Sequence, residues 1–196
     1  MQLTGADSAL TKTQLRRQLL VQRQSMPAQQ WCLLSQILCQ QLQRSPVWQQ
    51  AQTVLAYMTF RQEPDLRELL TQAEQSHQWG LPRCVGQDLV WHRWHPQQLE
   101  VLQPSQYGIL EPPSNLPLLG ATEVDLILVP AVACDRNGFR LGYGGGYYDR
   151  LLATPTWSTV PTIGIVFEQA YLDHLPTDPW DQPLDAICTE KGLFFY

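Results

Sequence analysis

Apolar residues recur along this chain with two different periods. From about Leu10 to Gln24, Leu15 and Leu19 are spaced by four among glutamines and arginines, which predicts an amphipathic helix. A second helix opens at Pro27, a residue tolerated in a first turn, and carries Trp31, Leu34, Ile37, Leu38 and Leu42 on one face. After Ser45-Pro46 the rhythm changes. Thr53 to Met58 is a short, nearly continuous apolar run, the pattern of a strand buried on both faces. Glu63-Pro64-Asp65 breaks it, and Asp65 is placed to cap a helix running to about Trp79. Leu81 to Val85 and Leu89 to Trp94 read as two strands joined by a turn at Gly86-Gln87-Asp88. Residues 95–123 are rich in proline and weakly periodic, so loops are expected there. Asp125 to Ala133 is the strongest strand signal. A short helix at Tyr147 to Ala153 and strands at Val160 to Phe167, Ala186 to Thr189 and Leu193 to Phe195 complete the pattern.

Strands alternating with helices predict an α/β fold. The expected form is a three-layer αβα sandwich around a largely parallel or mixed, Rossmann-like sheet, with the N-terminal helices packed on it. One domain over residues 1–196 is expected, with 1–10 disordered and 10–45 forming the helical part. In such sheets ligands sit beyond the carboxyl ends of the strands, here after Met58, Ala133 and Phe167.

Charge narrows the choice of partners. Thirteen Lys and Arg against eighteen Asp and Glu give a net charge of −5, which argues against broad nucleic-acid binding. There is no apolar run long enough to span a membrane. The first residues lack a basic segment followed by an apolar one, so a cytoplasmic protein is expected, and a monomer. The five cysteines (32, 39, 84, 134 and 188) form no C-x-x-C pair and are expected to be buried or half-buried thiols. The four histidines form no metal-binding spacing, and His92 and His95 are read as structural.

The chemistry concentrates in residues 135–150, DRNGFRLGYGGGYYDR. Gly142, Gly144, Gly145 and Gly146 follow a strand and precede a helix. Glycine lets backbone N–H groups close on a phosphate. The G-x-G-G-G spacing is neither a dinucleotide fingerprint nor a Walker A loop, and with lysine only at 12 and 191 a P-loop NTPase is excluded. Arg140, Tyr147, Tyr148, Asp149 and Arg150 flank the glycines; arginine pairs with phosphate and a carboxylate can hold Mg²⁺ against phosphate oxygens. Lys12, Arg16 and Arg23 fall within about 40° of one another on a helical wheel, which by itself reads as a solvated basic stripe.

Val129-Pro130, Asp135, Gly138 and the run Arg140 to Arg150 resemble the signature of the 5-formyltetrahydrofolate cyclo-ligases, also called 5,10-methenyltetrahydrofolate synthetases. The similarity extends to Lys12-x-x-Leu15-Arg16 with Arg23, Tyr57 to Glu63, Leu81-Pro82-Arg83, Tyr107 to Pro112 and Leu184 to Glu190. Some members carry a lysine where Gly145 stands, and an aromatic is usual where Cys134 precedes Asp135.

The resemblance implies an ATP- and Mg²⁺-dependent ligase acting on 5-formyltetrahydrofolate, polyglutamylated or not. ATP would contact Lys12, Arg16 and residues 140–149, namely Arg140, Leu141, Gly142, Tyr143, Gly144, Gly145, Gly146, Tyr147, Tyr148 and Asp149. The folate would meet Met58, Glu63, Tyr143, Gly144, Gly145, Gly146 and Tyr147. Arg140, Tyr147 and Tyr148 are the catalytic candidates, and Asp149 and Asp185 would lie near Mg²⁺. Arg23 keeps the reading of a solvated residue. Two rivals stay open: a non-catalytic phosphosugar- or nucleotide-sensing module, and a sugar-phosphate isomerase on a related fold.

Overall fold

Alternating side chains along the parallel strands divide the interior into two cores. The computed structural model describes residues 10–73 and 76–196. The disorder expected for residues 1–10 therefore lies, residue 10 apart, outside the described residues. Strands β1 (Thr53–Leu55), β2 (Gln78–Val85), β3 (Asp88–Trp94), β6 (Leu126–Pro130), β9 (Thr162–Ile165), β11 (Ala186–Thr189) and β12 (Gly192–Phe195) form a seven-stranded sheet ordered β12-β11-β9-β6-β1-β2-β3. The central pairings are parallel, and the edge pairs β2–β3 and β11–β12 are antiparallel.

Val54, Leu126, Leu128, Ile163 and Cys188 project to one face. That face is covered by α2 (Ala28–Gln43), α3 (Pro46–Gln50) and α4 (Arg67–Gln72), through Leu38, Leu42, Trp48, Leu69 and Leu70. Leu55, Ile127, Val129 and Ile187 project to the other face, against Leu19 of α1 (Lys12–Gln24) and Leu151 and Leu152 of α5 (Tyr147–Leu152). There a small sheet, β7 (Ala133–Asp135) with β8 (Arg140–Leu141) and β10 (Tyr171–Leu172), does part of the work expected of helices. A two-stranded ribbon of β4 (Gln103–Pro104) and β5 (Leu110–Glu111) lies within the proline-rich stretch expected to be loops.

Local chemistry explains the helix ends. Thr11 caps α1 in a capping box with Gln14, and Ser45 caps α3 with Pro46 in the first turn. Asp65 accepts the amide of Arg67, but the helix it opens stops at Gln72 rather than near Trp79. Trp79 belongs instead to β2, where backbone pairing with both β1 and β3 overrides helical spacing. The run expected as one strand from 125 to 133 is also divided. β6 ends at Pro130, and the Val132 amide turns to the Leu141 carbonyl, so β7 enters the small sheet. Likewise β1 ends at Leu55, three residues short of the expected Met58. Cys32 is exposed, against the expectation for it, while Cys39, Cys134 and Cys188 are buried.

Candidate active site

Beyond the carboxyl ends of β1 and β6 lies a cleft of about 560 Å³, within the size range of small-molecule sites. The residues after Met58 and the glycine loop both line it. The residues just after Phe167 do not, but further along the same connection Asp178, Trp180 and Asp181 line it, as do Pro82, Cys84, Tyr107, Ile109 and Glu111. Of the residues proposed from sequence, Lys12, Arg16, Met58, Glu63 and all of 140–149 line this one cleft.

Asp185 is the correction. Its carboxylate accepts the Thr162 amide at 2.8 Å and the Thr162 hydroxyl at 2.7 Å, tying together the amino-terminal ends of β9 and β11. Those ends lie across the sheet from the carboxyl ends that carry the cleft, so Asp185 is a structural cap and does not join Asp149.

Arg23 is the second correction. Far from being solvated, it is 4% exposed. Its Nε donates to the Arg61 carbonyl at 3.0 Å, its Nη1 to the Ala131 carbonyl at 2.9 Å and its Nη2 to the Tyr143 hydroxyl. The helical wheel placed it beside Lys12 and Arg16 correctly; the error lay in assigning that face to solvent.

Glu63 is held by the turn that precedes it. The Glu63 amide donates to the Phe60 carbonyl at 3.1 Å, while the Phe60 amide donates to Glu63 Oε2 at 3.0 Å. Arg61 and Gln62 between them both have positive φ, 47° and 55°, which places two side-chain-bearing residues in the left-handed region. Glu63 Oε1 accepts the Tyr143 hydroxyl at 2.9 Å. Burial raises the Glu63 carboxyl to about 7, against the opposing pull of Arg23 and the bonds from Tyr143 and Phe60. Burial likewise raises the hydroxyls of Tyr57, Tyr143 and Tyr148.

Besides Arg23, which reaches Tyr143, α1 brings Lys12 and Arg16 to the glycine loop, and Arg140 and Arg150 flank it. Arg16 Nε donates to the Gly142 carbonyl at 2.7 Å, and its guanidinium lies over Gly144. Gly144 has a φ of 101° and Gly146 of 66°, conformations open to glycine at little cost. Lys12 Nζ sits between Asp178 and Asp181 at 2.6 and 2.5 Å. Burial pulls its pKa down, but the two carboxylates more than offset this and hold it above the usual lysine value. Arg140, with its side chain 4% exposed, donates to Asp149 Oδ1 at 2.8 Å and to the Gln182 carbonyl at 2.9 Å. Arg150 donates through Nη2 to the Gln87 carbonyl at 2.6 Å, bracing the loop against the β2–β3 turn. Helix α5 has six residues, too short for a long helix dipole; Lys12 and Arg140 are offset by Asp178, Asp181 and Asp149, so the loop amides with Arg16 and Arg150 carry the positive side of the local potential.

The two neighbouring tyrosines differ in setting. Tyr147 is at the rim, its hydroxyl 3.0 Å from that of Tyr107, a bond that pushes its pKa up to about 12. Tyr148 lies deeper, edge-on to Trp91 and beneath Arg140. Its hydroxyl is buried with no hydrogen-bond partner among the described residues. Asp178, Trp180, Asp181 and Tyr107 went unnoticed as site residues: Asp178 and Asp181 stand in a proline-rich stretch with no glycine or periodicity to mark them.

The cleft residues and their order in the chain match a known pattern. The model of the 5-formyltetrahydrofolate cyclo-ligase family matches residues 8–190. The chain belongs to this family. It is accordingly an enzyme, a ligase. A 5-formyltetrahydrofolate cyclo-ligase of Mycolicibacterium smegmatis is 35% identical over 147 residues, covering 71% of this chain and 74% of that one. The cyclo-ligase of Escherichia coli K12 is 29% identical, covering 74% and 81%. A solved 5,10-methenyltetrahydrofolate synthetase of Aquifex aeolicus superposes with a TM-score of 0.83 at 30% identity, covering 95% of this chain and 93% of that chain. Among the described residues, no helix is long and apolar enough to cross a membrane.

Proposed function

We propose that this enzyme converts 5-formyltetrahydrofolate to 5,10-methenyltetrahydrofolate with consumption of ATP and release of ADP and phosphate, as a cytoplasmic monomer. The observation that carries this reading is the meeting of the glycine loop, the α1 cations and the buried Glu63 in one cleft. Neither a sensing module nor a sugar-phosphate isomerase calls for that combination. The formyl amide is a poor electrophile. Its oxygen attacks the γ-phosphorus, the P–O bond to ADP breaks, and the formyl carbon becomes an N5-iminium phosphate. N10 adds to that carbon and gives up its proton to the departing phosphate or to solvent; the C–O bond then breaks and phosphate leaves with the former formyl oxygen.

Phosphoryl transfer asks the protein for alignment and charge neutralisation. Lys12 and Arg16 supply positive charge from α1, and Arg140 from β8, with the amides of 142–146 between them. Met58 lines the folate side beside Glu63, whose carboxylate accepts N–H groups from the reduced pterin edge. In this reading the buried Tyr148, beneath Arg140, and the rim tyrosine Tyr147 orient the folate or the nucleotide.

Asp149 fits Mg²⁺: it is a half-buried carboxylate beside the loop, and both of its hydrogen bonds land on Oδ1. Mg²⁺ takes one or two carboxylates together with phosphate oxygens and water, so it needs no cage of side chains. When bound it would neutralise charge on the phosphates. Asp185 does not fit this role.

The test mixes protein, 5-formyltetrahydrofolate and Mg²⁺, with and without ATP, and follows the near-ultraviolet methenyl chromophore. An ATP-dependent rise is expected. Folded protein that gives none would overturn the assignment.

A further inference from the structure

One buried guanidinium joins three loops of the cleft. Arg23, reaching up from α1, holds the Arg61 carbonyl in the turn before Glu63, the Ala131 carbonyl at the exit of β6 and the Tyr143 hydroxyl in the glycine loop. Two of the three partners are backbone carbonyls and the third a hydroxyl, so among the described residues no acidic side chain bonds directly to this charge. Tyr143 passes the effect on, because its hydroxyl also contacts Glu63 Oε1 at 2.9 Å.

The direction of these bonds follows from donor chemistry. Arginine has only donors, so the Tyr143 oxygen must accept from Arg23. Its own proton is then free to point at Glu63, and a carboxylate is the partner that accepts it. A protonated Glu63 offering its hydrogen to the same oxygen would leave the tyrosine proton without an acceptor along this line.

We propose that Arg23 is a positioning residue: through Tyr143 it keeps Glu63 ionised and oriented as an acceptor for the substrate, while fastening the glycine loop to the Glu63 turn. The proposal deepens the cyclo-ligase reading and rests on Glu63 as the pterin acceptor. The groups facing Glu63 are Arg23 from α1, Tyr143 from the glycine loop, Tyr57 beyond β1, Tyr148 from α5 and the Phe60 amide of its own turn. Of these, Arg23 alone carries a full positive charge, and it opposes the upward push of burial.

The experiment follows Glu63 by carboxyl ¹³C NMR titration in the full-length protein, the wild type alongside R23Q, R23K and Y143F. In parallel, kcat/KM for 5-formyltetrahydrofolate is measured at saturating ATP from pH 5.5 to 9. R23Q should raise the Glu63 midpoint by about one pH unit, so kcat/KM falls about tenfold at pH 6.5 and recovers in alkali. R23K, which keeps the charge, should shift it less, and Y143F should shift it upward as well. An unchanged midpoint in R23Q, or a loss of activity equal at every pH, would overturn the proposal. If R23Q does not fold, R23K and Y143F decide it by the same criteria. Inactive wild-type protein would refute the cyclo-ligase reading, while the NMR midpoints would still judge the Arg23–Glu63 coupling.

Discussion

Replacing Gln62 with glycine should stabilise the protein while impairing its use of folate. Gln62 has a φ of 55° and lies next to Arg61 at 47°, the two central residues of the turn that presents Glu63. A left-handed conformation costs a side-chain-bearing residue roughly 1–2 kcal/mol. Glycine removes that strain and also removes the buried Oε1, which has no hydrogen-bond partner among the described residues and whose desolvation costs about 1–3 kcal/mol. Against this stand about 0.5–1 kcal/mol for the greater freedom of glycine in the unfolded chain and a similar loss from the 3.3 Å bond of Nε2 to the Met26 carbonyl. The net is a gain of about 2 kcal/mol, seen as a rise in Tm of about 4–8 °C for a chain of this size. Gln62→Ala separates the two sources: it removes the orphan oxygen but keeps a Cβ in the left-handed region, so its gain should be smaller. Thermal melting followed by circular dichroism reads both variants. The freed turn should raise the folate KM in Q62G. A Tm at or below the wild-type value for Q62G would refute the idea that this turn is held under strain.

Three further expectations follow from the cleft and its supports. Lys12→Ala should raise the ATP KM roughly ten- to hundredfold, the loss of about 1.5–3 kcal/mol from a charge-assisted bond, with the folate KM little altered; unchanged ATP kinetics would return Lys12 to a purely structural role. Glu63 titrates near 7 in the fold and near 4.5 when unfolded, so its protonated form favours folding below pH 4.5 and that contribution fades as pH rises through 7. Denaturant titrations should therefore show wild type losing on the order of 3 kcal/mol relative to E63Q between pH 4.5 and 8, at about 1.4 kcal/mol per unit; parallel pH curves would refute it. Asp185→Ala should lower Tm by several degrees, since it unpairs the Thr162 amide, yet leave the Mg²⁺ requirement of the reaction unchanged.

The fold and the cleft were unequally legible from sequence. Apolar runs such as 126–129 and 186–189 announce buried parallel strands because both faces must be apolar. Their ends are less visible, since β1 and β6 stop where backbone partners change rather than where side chains do. Trp79 shows the same limit: its neighbours suit a helix, and pairing with strands on either side decides otherwise. Glycine spacing marked the loop at 142–146, where Gly144 and Gly146 take positive φ that glycine adopts at little cost. Arg23 was legible in position but not in burial; a guanidinium satisfied by carbonyls leaves no acidic partner in the sequence to betray it. Asp185 misled for the opposite reason, since an aspartate that caps a strand looks like one that holds a metal.

The partners that α1 chooses bear on how this enzyme can change over generations. Arg16 and Arg23 grip the carbonyls of Gly142, Arg61 and Ala131, and a carbonyl is present whichever amino acid occupies the position. The handholds of the clasp therefore do not depend on the side chains at 61 and 131, although Ala131 is fixed by its burial and Arg61 by its left-handed backbone. On the α1 side, the demand for a particular side chain thus falls on the two arginines and on Tyr143, and not on the residues whose backbone they hold.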